Sequence, residues 1–451
     1  MAMLTSIGAA PAVASADGAR FRTEAGTLVL LEEDHALPIV SLSVTARTGS
    51  TLDPPGKEGL ARIASTLLRR GVPGLSADRI DELVDRLGGV ITISADHHSI
   101  TIGGQVIRRN LEPFAELLSR MISVPTLASS ELERLKRETI AEIVAGRDDD
   151  RELAMNHFRR VLMQGHAYGR PPMGTTRSVA RITRQDVRRF FRSTFVAQNL
   201  ILGAAGDVSE EELKDLVDDH FDDLRSGERP RVRLGTARTP RGRRLVIVDK
   251  PDRTQTQVFI GQVGIRAADE DYFPLTVANT VFGGTFTARL MKEVRSKRGW
   301  SYGASSRIVR GRSPDAFYLW TFPAATDALA CIRLELDLLH RFVEDGITQS
   351  ELDFAKSFLE NNFAFEVDTA EKRLEKRIDA EVLRLGRDYY RDYVQRIRGV
   401  DLRSANAAVQ RHLGDRDLTI VLVATASELR EALTAQIPDL AGVDVVPFDS
   451  D

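Results

Sequence analysis

The chain repeats itself, and this repeat constrains its fold more than any other feature. A β-rich run at residues 27–31 (TLVLL) is followed by a polar turn and a second strand-like run at residues 38–46. The same order recurs at residues 244–248 (RLVIV) and 256–263, so that Leu28 falls on Leu245 at an offset of 217 residues. A helical pattern opens at Ser130-Glu131-Leu132 and runs through Ile143. It returns from Ser350-Glu351-Leu352 through Phe363, an offset of 220. Each serine is expected at an N-cap with acidic residues in the first turn, which satisfies orphan amides and complements the helix dipole. Apolar runs at residues 199–204 and 418–423 close the two halves, with Ile201 and Ile420 separated by 219.

A nearly constant offset predicts two homologous lobes rather than two unrelated domains. Each is expected to be an α+β unit, a mostly antiparallel sheet with helices packed on it, the pair forming a clamshell. The length of 451 residues suits two cores of about 200 residues each. The expected division is a tail or signal-peptide remnant at residues 1–19, a first lobe at 20–225, a linker at 226–243 and a second lobe at 244–451. The linker is polar, rich in Pro, Arg and Gly, and without periodicity.

Composition removes several function classes. With 62 basic and 65 acidic residues the net charge is −3, which gives no electrostatic argument for nucleic acid or a membrane surface. No apolar run reaches the length of about 18 residues needed to span a bilayer. The single cysteine, Cys331, excludes an internal disulfide and a cysteine-rich metal site; within the amphipathic stretch 328–336 it is expected to fill core. Residues 1–16 are uncharged and end in Ala14-Ser15-Ala16, like the small-residue cleavage site of a secretory signal, although a basic n-region is missing and Pro11 interrupts the apolar stretch. A periplasmic or secreted location is the expectation, with a cytoplasmic protein bearing a plain tail as the alternative.

Several short motifs follow one another in order. The first half holds Lys57-Glu58-Gly59-Leu60-Ala61, then Leu87-Gly88-Gly89 before an apolar run at 91–102. Glu138 to Glu142 are followed by residues 148–152 (DDDRE), and then by His166-Ala167-Tyr168-Gly169-Arg170-Pro171 with Gly174-Thr175. The second half holds Phe282-Gly283-Gly284 through Arg289-Leu290, then residues 293–302 (EVRSKRGWSY). Their order and spacing, from about residue 20 to about residue 440, resemble the insulinase, pitrilysin and mitochondrial-processing-peptidase superfamily of zinc peptidases, the inverzincins.

That family's zinc helix carries H-x-x-E-H. Histidines at i and i+4 share one helical face and grip the metal, and the glutamate serves as general base beside the metal-bound water. After Ala61 this chain reads Arg62-Ile63-Ala64-Ser65-Thr66, so Arg62, Ser65 and Thr66 replace all three groups. Arginine cannot ligate zinc, and a serine or threonine there cannot act as a base at neutral pH. The motif occurs nowhere else among the eight histidines. Glu142, 80 residues after Arg62, matches the spacing of the family's third ligand and is expected to pair with Arg62 instead. His97 and His98, read as neighbours on a strand, would point to opposite faces and could not share a metal. His157 and His166 are expected on a helix surface and in a turn. No metal or other cofactor is expected in this chain.

The second lobe keeps Arg295 and Tyr302, seven residues apart. The resemblance implies that such a pair reaches from the second lobe towards a zinc centre. A guanidinium and a phenol can both donate to a scissile carbonyl as it becomes an oxyanion. The plainer reading makes Arg295 a solvated helix residue and Tyr302 an ordinary strand aromatic. Gly283 and Gly284 suit either close approach of a substrate backbone or a tight turn. Some family members divide the work between two chains, one bringing H-x-x-E-H and the other the Arg/Tyr pair, and this chain resembles the second kind. The resemblance thus implies a chain inactive alone, with Arg295 and Tyr302 pointing into the cleft and completing the site of a zinc-bearing homologous subunit that hydrolyses peptides. The alternatives are a structural scaffold and a peptide-binding module without hydrolysis.

Overall fold

In the computed structural model, which describes residues 18–237 and 240–450, the two strand-like runs of each half lie side by side within a six-stranded sheet. The first sheet is built from β1 (Arg20–Arg22), β2 (Leu28–Glu33), β3 (Ile39–Ala46), β4 (Val90–Ala95), β5 (Ile100–Ile107) and β6 (Leu200–Gly206), in the order β1-β2-β6-β3-β5-β4. The second uses β7 (Arg243–Asp249), β8 (Gln257–Val263), β9 (Ala304–Ile308), β10 (Ala316–Thr321), β11 (Thr419–Ala424) and β12 (Leu440–Pro447), in the order β12-β7-β11-β8-β10-β9. Five strands of each sheet therefore occupy matching places. The sixth does not: β1 comes from the N-terminal side and runs antiparallel to β2, whereas β12 comes from the C-terminal side and runs parallel to β7. The remaining pairs are antiparallel except β2–β6 and β7–β11. The expected mixed α+β, two-lobed architecture is what the chain adopts.

The offsets of 217 and 219 nevertheless need correction by one residue. Leu28 and Ile201 pair across β2 and β6 on the face that meets the other lobe's helix. In the second sheet the matching face carries Val246 and Val421, while Leu245 and Ile420 point to the opposite side. Side chains alternate along a strand, so a slip of one residue reverses the face. Both runs are apolar on both faces, and hydrophobicity could not fix the parity.

The helices that position the candidate site are α1 (Leu60–Thr66), α2 (Ser129–Ala145), α3 (Asp150–Leu162), α4 (Ala328–Asp345), α5 (Gln349–Glu366) and α6 (Ala370–Leu383). The caps of α2 and α5 fall two residues before the expected serines, at Ala128 and Thr348. Thr348 closes a capping box with Glu351, and this reciprocal pair outcompetes Ser350. The two halves exchange helices. α3 belongs to the first half by sequence but packs Phe158 and Leu162 onto Val246, Phe259 and Val421 of the second sheet. In return α6 lays Leu374 and Ile378 over β2 and β6, where a Cβ at Gly203 would stand 2.9 Å from Ile378. Ion pairs seal both crossings: Arg377 and Arg373 hold Glu32 at 2.7 and 3.2 Å, and Arg159 holds the buried Asp315 at 3.0 Å.

Residues 226–242 form no helix or strand among those described, and β7 begins at Arg243, one residue inside the expected linker. The segment is tied down all the same, since Arg229 donates to the Arg47 carbonyl at 3.0 Å and Ala167 N–H to the Leu234 carbonyl at 2.8 Å. Residues 1–17, on which the export signal was read, lie outside the described residues. No described helix is long and apolar enough to cross a membrane.

Cys331 fills core on α4, as expected, beside a buried carboxyl that sequence did not single out. Glu335 is 1% exposed; its Oε2 accepts from the Thr321 hydroxyl at 3.2 Å and its Oε1 has no partner. Burial pushes this carboxyl up to about 8 from an ordinary 4.5. The folded-state value lies above the unfolded one, so this contribution is complete below about pH 4.5 and is lost as pH rises towards 8. Glu335→Gln should remove that loss, whose slope is at most about 1.4 kcal/mol per pH unit. Urea denaturation of both proteins at pH 5 and pH 8 checks this: the variant's relative stability should grow with pH, and an unchanged difference would refute it.

Candidate functional site

The segment that carries the degenerate motif is held by a carboxylate upstream of it. Asp53, 2% exposed, accepts the N–H of Gly59 at 2.9 Å and of Ala61 at 2.8 Å, satisfying amides at the start of α1. Gly59 itself takes φ +94°, and a Cβ there would meet the Met173 carbonyl oxygen at 2.6 Å, so glycine is required on two counts. Sequence reasoning missed Asp53 because a cap normally sits next to its helix and this one acts from six residues away.

Arg62 projects from α1 towards α2, where its Nη2 donates to both carboxylate oxygens of Glu142 at 2.9 Å. The expected pairing is therefore present. Ser65 is buried, and its hydroxyl donates to the Arg62 carbonyl at 3.0 Å; Thr66 ends the helix. This donor set does not fit zinc: a cation already occupies the place beside Glu142, and Ser65 is committed to the helix backbone. The described residues include no other cluster of three His, Cys, Asp or Glu that could hold a metal ion. The Arg62 and Glu142 side chains are 37% and 50% exposed, so their pairing contributes little. Arg62→Ala is expected to cost at most about 1 kcal/mol in chemical denaturation. A loss above about 2 kcal/mol would show that the pair supports the fold.

The histidines differ from expectation in two places. β4 ends at Ala95, so His97 and His98 lie in the turn before β5 rather than on a strand, because Asp96 accepts the N–H groups of His98 and Ser99 and folds the chain back. Their rings pack on Tyr168 at 5.4 and 5.1 Å, and burial pushes them down to about 3 and about 4, leaving both neutral. His157 is buried rather than on a helix surface, at 5% exposure, because α3 is covered by the second sheet. His166 occupies a turn and accepts the Tyr168 N–H at 3.1 Å.

In the second lobe Gly283 and Gly284 end the π-helical turn Thr280–Gly284. Neither adopts a left-handed φ, so no tight turn requires them. At Gly283 a Cβ would stand 2.4 Å from the Ser306 nitrogen, so close packing on β9 accounts for that glycine. Gly284 is exposed and less constrained, its nearest contact being the Asn279 carbonyl at 3.3 Å.

Arg295 sits on the π-helical turn Lys292–Ser296, and Tyr302 two residues before β9. Tyr302 is thus not on the strand, as expected from sequence. Ser301 Oγ donates to the Gly303 carbonyl and accepts the Phe322 N–H, and regular pairing begins only at Ala304. The Arg295 guanidinium lies 4.6 Å from the centre of the Phe286 ring and 6.0 Å from that of Tyr302. Tyr302 is 78% exposed and Phe286 67%. Among the described residues neither the Arg295 guanidinium nor the Tyr302 hydroxyl makes a hydrogen bond or ion pair. Neighbouring cations do: Lys297 and Arg298 bind Glu293, and Arg289 binds Glu351. Stacking on two rings holds the guanidinium in place without using its donors.

A cavity of about 640 Å³ lies where α6 covers the first sheet, lined by Ser41, Ser43, His97, His98, Glu375 and Asp379 among others. Neither Arg62 and Glu142 nor Arg295 and Tyr302 line it. Arg295 and Tyr302 thus lie outside this cavity between the lobes, with the Tyr302 ring 78% exposed.

The chain matches two family models, one described as Insulinase (Peptidase family M16) over residues 28–176 and one as Peptidase M16 inactive domain over residues 181–359. An uncharacterized zinc protease of Mycobacterium tuberculosis strain H37Rv is 28% identical over 395 residues, 87% of this chain and 89% of that protein. A Helicobacter pylori relative named a non-peptidase homolog is 23% identical over 402 residues, 88% of this chain and 91% of that protein. The crystal structure of a peptidase M16 inactive domain from Pseudomonas fluorescens matches with a TM-score of 0.84 at 23% identity, covering 90% of this chain and 97% of the other. That last likeness is one of fold.

Proposed function

The chain belongs to the insulinase family of peptidases, family M16, and we propose that within it this protein is the zinc-less subunit of a two-chain peptidase. In this reading a homologous partner carries H-x-x-E-H and zinc. This chain supplies Arg295 and Tyr302 to the carbonyl of the peptide being cleaved, with Gly284 beside the substrate. The observation that carries the reading is the Arg295–Tyr302 pair itself. Its two donors lie together with the guanidinium over the Phe286 and Tyr302 rings, face outward, and are committed to nothing among the described residues. A purely structural arginine in this protein is ordinarily spent on a carboxylate or carbonyl, as Arg62, Arg159 and Arg289 are.

A second reading, a scaffold without hydrolytic role, draws on the replaced motif and on the relative named a non-peptidase homolog. Copurification with a zinc-bearing homologue, followed by a peptide-hydrolysis assay of each chain alone and mixed, separates the two. The subunit reading expects activity in the mixture above that of either chain, and none from this chain alone. The scaffold reading expects the mixture to match the partner alone.

A further inference from the structure

Positive charge gathers where the two lobes meet the linker, and the chain supplies little to balance it. Arg47 follows β3 and is 7% exposed. Its carbonyl oxygen accepts from Nη2 of Arg229, on the linker, at 3.0 Å and from Nη2 of Arg312, between β9 and β10, at 2.7 Å. Two guanidiniums from different parts of the chain thus close on one oxygen. Arg384, at the end of α6, adds another whose charge reaches Arg47, Arg229 and Arg312 alike. Arg20 and Arg22 of β1 repel Arg47 as well. The carboxylates felt there are Glu381 and, beside Arg312, Asp96. Glu381 lies 2.8 Å from Arg20 and 3.9 Å from Arg47, so it is spent chiefly on Arg20. Asp96 is occupied by the N–H groups of His98 and Ser99 and by the Ser99 hydroxyl.

Other arginines at the lobe junction are not left this way. Arg159 has Asp315, Arg373 and Arg377 share Glu32, and Arg310 has Asp379. Beside the linker, burial first and then the neighbouring guanidiniums push Arg229 down to about 9 and Arg312 down to about 10. Donors are also left over. The Nε–H groups of Arg47 and Arg229 are buried without a partner. The Arg384 guanidinium makes no hydrogen bond or ion pair among the described residues. Arg384 also closes α6 at φ +62°, a left-handed backbone that helices ordinarily give to glycine. Unbalanced charge in a partly buried place is destabilising, and an anion in contact with it removes the imbalance.

We propose that Arg229, Arg312 and Arg384 bind a phosphate-class oxyanion, which joins the first lobe, the linker and the second lobe. A guanidinium offers parallel N–H groups that match such an oxyanion in geometry as well as charge. Arg384 is exposed and Arg229 and Arg312 are half-buried, so their outer nitrogens can be reached. Arg47 is buried and contributes charge without contact. The net charge of −3 conceals the site, since the excess is local. None of the residues assigned above to catalysis takes part, so the site stands apart from that assignment.

The test uses the full-length protein at about pH 8, where a phosphate is close to doubly charged. Inorganic phosphate and glycerol 2-phosphate are each titrated by calorimetry. Saturable binding is expected, half-complete below about 1 mM. The thermal midpoint should rise with inorganic phosphate but not with potassium chloride of equal ionic strength. Arg384→Gly should weaken binding at least about ten-fold, the scale of losing a charged hydrogen bond. Its midpoint without phosphate should equal or exceed that of the unaltered chain, because glycine suits φ +62° and one repelling charge is gone. Arg384→Lys, which restores the charge, should recover part of the binding. Should Arg384→Gly fail to fold, Arg384→Gln removes the same charge and should show the same loss. Binding of both compounds supports a site open to organic phosphates, and binding of inorganic phosphate alone supports a site for the free ion. No saturable binding, a response that potassium chloride reproduces, or equal binding by the unaltered chain and the uncharged variant would overturn the proposal.

Discussion

Phe158→Ala should destabilise the protein by about 3–5 kcal/mol, as truncation of a large buried aromatic does. Phe158 is fully buried on α3, with its ring 5.9 Å from Phe259 and 6.0 Å from Tyr318. Its tip reaches Gly261, where a Cβ would stand 2.8 Å from Cζ, so the strand beneath has been emptied to admit the ring. A void at that place has no neighbour free to fill it, because the surrounding side chains sit on a paired sheet. The effect should extend beyond one lobe. α3 belongs to the first half by sequence and covers the second sheet, while α6 does the reverse. Releasing either helix uncovers the sheet of the other half, so both lobes should unfold in a single transition. Urea denaturation followed by tryptophan fluorescence and by circular dichroism checks both points. A loss below about 1 kcal/mol, or two separated transitions, would show that the exchanged helices do not join the lobes. Phe365→Ala, which removes an exposed ring, serves as the comparison and should change stability by less than about 0.5 kcal/mol.

Much of this architecture was legible because duplication writes itself into sequence twice. The order strand, strand, helix, strand recurred at a nearly fixed spacing, and the matching strands occupy matching places. What could not be read was which face each residue takes. Leu28 and Leu245 are equally apolar and sit in runs apolar on both faces, so the alignment slipped by one residue without any sign of it. The helix exchange was invisible for a different reason: nothing in residues 150–162 distinguishes an apolar face meant for its own sheet from one meant for the sheet that follows.

At the candidate site, the Arg62–Glu142 pair could be anticipated because a cation placed where the family's metal ligands begin must find the remaining carboxylate. Asp53 could not, since its six-residue reach to Gly59 has no local pattern. The exposed rings of Phe354, Phe358 and Phe365 on α5 are spaced by four and seven, an ordinary helical signal. Such spacing usually marks a core face, and only the burial of Leu352, Ala355 and Phe363 reveals that the core lies on the other side.

The subunit reading stands or falls on Tyr302. Its hydroxyl makes no hydrogen bond among the described residues, and its ring is 78% exposed, so Tyr302→Phe should leave folding and assembly unaltered. If that hydroxyl donates to a carbonyl oxygen as negative charge develops on it, its loss should lower turnover of the two-chain complex by about 10²–10³. The loss should fall on kcat with KM little changed, because the contact strengthens in the transition state rather than in the bound substrate. Arg295→Ala is a less selective probe, since the guanidinium also stacks on Phe286 and Tyr302, and its removal frees two exposed rings. The deciding measurement is therefore kcat for peptide hydrolysis by the purified complex of this chain with its zinc-bearing homologue, with and without Tyr302→Phe, at matched complex concentration. The account predicts a fall of two to three orders of magnitude in an intact complex; an unchanged kcat would contradict it and leave this chain a scaffold.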